Sequence, residues 1–226
     1  MAVKSALLSS SLAKKYWMSL TGLFLCLFLI IHLAGNLTLL KAPAEAGPAF
    51  NAYTEFMTSF PLIKISSYLL YFSILFHAID GILILTRDNK KARPVKYAFS
   101  KPENNSIWAS RNMGVLGTAI LVFIVLHMAN FWFKYKFTTL PIGPGDLPDM
   151  YGVVVSSFSE GWYTAIYVVS MIILGFHLWH GFESAFQTLG INHKKYTPII
   201  KTIGKIYAVI IPALFAIIPI YIFLNL

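Results

Sequence analysis

The segment from Tyr16 to Leu40, YWMSLTGLFLCLFLIIHLAGNLTLL, decides how the rest of the chain is read. It contains no Asp, Glu, Lys or Arg. About 20 apolar residues in a helix cross the roughly 30 Å hydrocarbon layer of a bilayer, so this run is long enough to span one. Working outward, four more apolar runs follow, at roughly 62–86, 112–135, 162–186 and 203–225. Lipid cannot satisfy open backbone groups, and no alternating pattern points to a closed barrel, so each run is predicted to be a helix. The expectation is an all-α membrane protein, with residues 1–226 forming a single transmembrane unit of five helices.

Composition agrees. The chain is 57% hydrophobic and 12% charged, and a soluble domain normally carries about twice that charged fraction. Basic residues ahead of Tyr16 superficially suggest a signal peptide. The run that follows is too long and ends without a small-residue cleavage site, so it is read as a retained first helix. Cys26 is the only cysteine, which leaves no disulfide framework, zinc site or iron–sulfur cluster within this chain.

The net charge of +9 is distributed in a way that argues against nucleic acid. With the N-terminus in the cytoplasm, fourteen of the eighteen Lys and Arg residues fall inside, in residues 1–15, Arg87–Arg111 and Lys194–Lys205. Lys41, Lys64, Lys134 and Lys136 fall outside. Such asymmetry predicts a cytoplasmic N-terminus and an outside C-terminus. The basic face suits anionic lipid headgroups, and it would also suit a docked peripheral subunit. The outer connections, residues 41–61 and 136–161, are proline-rich and too short for a domain.

Ionisable residues within spans are rare and are candidates for function. His32, His77, His127 and His177 fall one in each of the first four spans, and the fifth has none. At 1.5 Å rise per residue, His32 and His127 lie roughly 24 Å from the cytoplasmic ends of their helices, and His77 and His177 roughly 15 Å. A lone intramembrane histidine is ordinarily a packing residue, but four sorted into an outer and an inner pair predict two bis-histidine sites. Two facing imidazoles suffice as axial ligands for haem iron, whose other ligands are the porphyrin's own. A bare zinc or copper ion would want more protein ligands. Gly35, Gly81 and Gly181 lie one turn from these histidines and would admit a flat macrocycle, or simply a close helix contact. His180, roughly 11 Å deep, competes with His177 for the inner site; depth favours His177 and leaves His180 a neighbouring role towards a haem propionate. His193 lies in a basic loop and is read as solvated.

The segments Ser19–Gly22 (SLTG) before His32, His77–Gly81 (HAIDG), Ser110–Gly114 (SRNMG) before His127, and His177–Gly190 (HLWHGFESAFQTLG) resemble the dihaem cytochrome b558 anchor subunit of bacterial succinate dehydrogenases and fumarate reductases. The resemblance covers nearly the whole chain, and the last motif is its most specific part. It implies two haem b groups, the distal held by His32 and His127 and the proximal by His77 and His177. It also implies a flavoprotein and an iron–sulfur protein docked on the cytoplasmic side, menaquinone as electron acceptor or donor, and a bacterial cytoplasmic membrane as the location. A quinone site is expected near the distal haem, with Glu55 as the proton carrier to test. Ser19 and Arg111 are candidate propionate partners, since a propionate at the interface wants a hydroxyl or a cation. Asp80 and Glu183 would pair with the basic loops, a propionate or His180. One relative carries an acid two residues before the fourth-helix ligand; here that position is Gly175.

Two other functions remain open. One is a cytochrome b anchor for a hydrogenase or formate dehydrogenase, which the His177–Gly190 motif argues against. The other is a proton-coupled transporter with histidine relays, which would show broken helices in an inverted repeat. Pro212 and Pro219 interrupt only the fifth span, read as a packing element with kinks.

Overall fold

Five helices in the computed structural model are long and apolar enough to cross a membrane: Leu12–Leu40, Pro61–Leu83, Met113–Phe137, Gly161–Thr188 and Thr197–Asn225. This fits a multi-pass membrane protein. The structure describes residues 10–84, 101, 104 and 106–225. Most of the basic stretch Arg87–Arg111, and Lys4, lie outside the described residues.

The ends differ from expectation for local reasons. The first helix starts at Ser11 because Ser10 caps it, its hydroxyl accepting from the Ala13 N–H at 3.1 Å. The fourth ends where Gly190 adopts φ +78°. There the Ile191 N–H donates to the Phe186 carbonyl at 3.0 Å and the Gly190 N–H to Gln187 at 3.1 Å, closing the helix in a left-handed turn that glycine adopts without strain. The fifth begins at Thr197 and runs unbroken to Asn225 through Pro212 and Pro219, both buried. Pro212 has no N–H to give the Ala208 carbonyl. A Cβ on Gly175 would lie 3.1 Å from that oxygen, so glycine there lets the fourth helix close on the freed carbonyl.

The packing order sets the site. The first span lies beside the second and the fourth, and the third beside the fourth and the second, while the fifth covers the fourth and the first. The first four spans therefore form a ring in which first–third and second–fourth are the diagonals.

The proline-rich connections are structured. Residues 43–59 form a helix that Pro43 starts at its first turn, with Glu45 favourably placed against the N-terminal dipole. It stops at Phe60, in extended conformation ahead of Pro61, which opens the next helix. The other connection folds as a short antiparallel pair, Ile142–Gly143 with Leu147–Pro148, followed by the helix Met150–Phe158. Asn51, 1% exposed, ties these pieces together. Its amide donates to the Pro144 carbonyl at 3.1 Å and to Asp149 at 3.3 Å, and its oxygen accepts from the Tyr151 N–H at 2.8 Å. Tyr53, whose phenol burial pushes above its ordinary range, donates to the Ile31 carbonyl at 2.9 Å. The main apolar cluster, including Leu33, Leu39, Phe50, Phe131, Met150, Phe158, Ile211 and Ile218, lies at this capped end of the bundle.

Candidate functional site: two histidine pairs across the bundle

The four span histidines meet in two pairs, one on each diagonal of the ring. The His32 and His127 rings, from the first and third spans, stand 5.7 Å apart between centres and nearly perpendicular, at 87°. The His77 and His177 rings, from the second and fourth, stand 6.2 Å apart at 64°. These partners are the ones that depth counting puts together. It is the His177 ring, rather than that of His180, that faces His77.

The two pairs have different surroundings. His32 stacks on Phe28 at 5.2 Å and leans on Phe215 at 5.5 Å, and His127 touches Phe123, Phe131 and Tyr167. The second pair lies against small residues of neighbouring spans. A Cβ on Gly22 would stand 3.2 Å from His77 Cε1, and one on Gly117 would stand 3.7 Å from His177 Cε1.

Three imidazoles are engaged through Nδ1. His127 Nδ1 shares a hydrogen bond with the Tyr167 hydroxyl at 3.1 Å, and His77 Nδ1 with Thr21 at 3.3 Å. His32 Nδ1 lies 3.5 Å from the Asn36 amide, a weak contact, while that amide donates to the His32 carbonyl at 2.8 Å. The fourth, His177 Nδ1, is buried and has no hydrogen-bond partner among the described residues. An engaged Nδ1 sets the orientation of the ring and leaves Nε2 as the nitrogen free for a metal.

The spacing of each pair can be set against what a haem iron would need. An iron held between two imidazoles separates their centres by about 6 Å, because each metal–nitrogen bond is about 2 Å. Both pairs meet that spacing. Glycines flank the second pair, and an unpartnered buried nitrogen there marks an imidazole that protein contacts alone do not satisfy. Among the described residues no group of three or more His, Cys, Asp or Glu side chains gathers as a bare metal site would require.

The remaining predicted residues are placed as follows. Glu55 lies partly buried on the helix 43–59, rather than on an open loop. Its carboxylate accepts from the Tyr135 hydroxyl at 2.9 Å, and Thr58 donates to that same phenol at 3.2 Å. Ser19 is buried, and its hydroxyl donates to the Lys15 carbonyl at 2.9 Å within its own helix. Arg111 is exposed and its guanidinium donates to the Ser106 carbonyl. Glu183 pairs with Lys201 at 2.7 Å. Asp80 and His180 are partly buried, and His193 is exposed in its loop against Tyr196. Gly35 serves Tyr53, whose ring occupies the place a Cβ would take, so this glycine leaves its room to a tyrosine and not to a macrocycle. At Gly175 the Cβ of any larger residue would crowd the Ala208 carbonyl, at 3.1 Å.

Sequence reading passed over the groups that hold the histidines: Thr21, Asn36, Gly117 and Tyr167. Their signal was present, since each is a polar or minimal residue inside an apolar span. A further sign is the π-helical turn Met128–Trp132 directly after His127, a feature frequent at functional sites. No protein-family model, curated protein sequence or solved structure matches this chain.

Proposed function

We propose that this chain is the dihaem cytochrome b anchor of a succinate:quinone oxidoreductase or quinol:fumarate reductase. One observation carries the reading: two imidazole pairs, each at the spacing an iron between them would need, lie on the two diagonals of a membrane-type helical bundle. The His177–Gly190 motif supports the assignment to this class over other quinone-linked anchors.

In this reading His32 with His127, and His77 with His177, hold one haem b each. A haem b so bound supplies one-electron transfer. The chain's own residues orient the imidazoles through Tyr167, Thr21 and Asn36, and exclude water with Phe28, Phe123, Phe131 and Phe215. Glu55, with its bond to Tyr135 at the capped end, is the proton carrier for menaquinone. The opposite end is cytoplasmic and receives the iron–sulfur and flavoprotein partners, with the N-terminus inside, the C-terminus outside and the whole in a bacterial cytoplasmic membrane. Ser19, Arg111 and His180 are the candidates for propionate contacts. Ser19 keeps an acceptor lone pair beyond its bond to Lys15, and would need to rotate to donate.

A reduced-minus-oxidised spectrum of the purified chain, with haem quantified per polypeptide, tests this. Two low-spin haems b per chain are expected. A colourless protein after expression with ample haem would overturn the assignment and favour the transporter reading.

A further inference from the structure

His127 stands at the end of a continuous chain of polar groups. Its Nδ1 meets the Tyr167 hydroxyl at 3.1 Å, which meets the Tyr163 hydroxyl at 3.1 Å. The Asn130 amide donates to Tyr163 at 2.9 Å and to the Ser157 hydroxyl at 2.9 Å. Ser157 in turn donates to the Val153 carbonyl at 2.7 Å, which anchors the chain on the helix Met150–Phe158. Tyr167 is 7% exposed and lies among Phe123, Phe131 and Phe158. Its phenol therefore has little freedom to leave the imidazole. Asn130 reaches Tyr163 and Ser157 from the π-helical turn that follows His127, where the widened backbone re-aims side chains relative to an α-helix.

The other histidine pair has no such support. His77 meets the Thr21 hydroxyl, itself bonded to the Trp17 carbonyl at 2.7 Å, and the Met18 backbone, while His177 Nδ1 meets nothing among the described residues. The difference is chemical. Behind His127 stands a relay of side chains drawn from three helices, which holds an imidazole in one orientation and one tautomer, whereas His77 has a hydroxyl tied back to its own helix.

We propose that Tyr167 is the positioning residue of His127, and that Tyr163, Asn130 and Ser157 hold it in place so that Nε2 of His127 is the nitrogen presented to a metal. The functional meaning rests on the haem reading above, but the orientation of the imidazole does not. With Nε2 given to iron, Nδ1–H donates to the Tyr167 oxygen, and this bond strengthens the imidazole as an electron donor. Tyr167 thereby lowers the potential of the site formed by His32 and His127, and leaves the other site unaffected.

Two measurements on the full chain in detergent micelles test this. In the haem-free protein, nitrogen NMR of labelled histidine side chains reads the His127 tautomers, the signal being assigned by its loss in His127→Gln. One tautomer is expected to dominate, and Tyr167→Phe should raise the minor form about fivefold, the ratio set by one hydrogen bond of ordinary net strength. Tyr163→Phe should change it in the same direction and less. Tyr207→Phe, which removes a phenol that donates to the Cys26 carbonyl, should leave it unchanged. In the haem-loaded protein, Tyr167→Phe should raise the midpoint potential of one haem and not the other. Unchanged tautomer ratios in both Tyr167→Phe and Tyr163→Phe would overturn the proposal, as would equal shifts of both potentials. A chain that binds no haem would overturn the proposed function, and the tautomer ratios would then decide the role of Tyr167 by themselves.

Discussion

Replacing Asn51 by leucine removes the polar link that holds the two connections together over one end of the bundle. Leucine has as many side-chain heavy atoms as asparagine and branches at the same carbon, so the chief loss is of hydrogen bonds. Asp149 keeps a donor, the Gly152 N–H at 2.9 Å. The Tyr151 N–H loses its acceptor at 2.8 Å and the Pro144 carbonyl loses its donor at 3.1 Å. The Tyr151 N–H, on a partly buried residue, costs about 1–3 kcal/mol when left without an acceptor, and the two bonds donated by the amide are worth about 0.5–1.5 kcal/mol each, since Pro144 is exposed and its carbonyl can turn to water. Leucine returns about 1–2 kcal/mol through its added apolar burial, and the middle of these ranges leaves a net loss of about 2.5 kcal/mol. For a chain of this length that corresponds to a fall in melting temperature of roughly 5–10 °C. Thermal unfolding in detergent, followed by near-ultraviolet circular dichroism, reads the shift, and limited proteolysis between residues 138 and 149 shows whether the hairpin loosens first. Asn51→Asp sharpens the test, because it keeps the acceptor for Tyr151 and sets a carboxylate against Asp149. The introduced group then has a folded pKa above its unfolded value, so the variant is least stable at neutral pH. It recovers stability as the pH falls below that raised pKa, when the protonated acid can donate in place of the amide. An Asn51→Leu protein that melts with the wild type would refute the idea that a buried polar junction holds this cap.

Other outcomes follow from the same geometry. Gly22→Ala should lower haem occupancy at the His77–His177 site, because its Cβ would stand 3.2 Å from the His77 ring, while Gly117→Ala, at an ordinary 3.7 Å from His177, should leave it near the wild-type level; haem content per chain compares the two. His180→Ala should retain two haems and His177→Ala one, read from the reduced-minus-oxidised spectrum. The Lys201–Glu183 pair is partly exposed at 47% and 37%, so Lys201→Ala should cost less than about 1 kcal/mol, and any shift in melting temperature should fade in high salt.

The spans were legible because the solvent for these helices is lipid, and lipid demands long uninterrupted apolar runs. The pairing of heights was legible for a related reason: a helix rises by a constant amount per residue, so counting from the cytoplasmic ends of the spans orders the histidines by depth. Their meeting across diagonals was not, since it depends on which spans are neighbours in the ring. The helix 43–59 was hidden by its prolines, which read as breakers although Pro43 sits where a helix tolerates proline. The hydrogen-bond partners of the imidazoles were hidden as well. Tyr163 and Tyr167 lie one turn apart on one face of the fourth span, but only the rotation of that helix against the third brings them to His127 and Asn130.

The most direct measurement is haem content across paired histidine substitutions in the full chain. If His32 faces His127 and His77 faces His177, the double variant His32→Ala/His127→Ala keeps one haem, as does His77→Ala/His177→Ala. The crossed variant His32→Ala/His77→Ala keeps none. Equal haem loss in all three double variants, or an unsubstituted chain that takes up no haem, would contradict two separate imidazole-held sites.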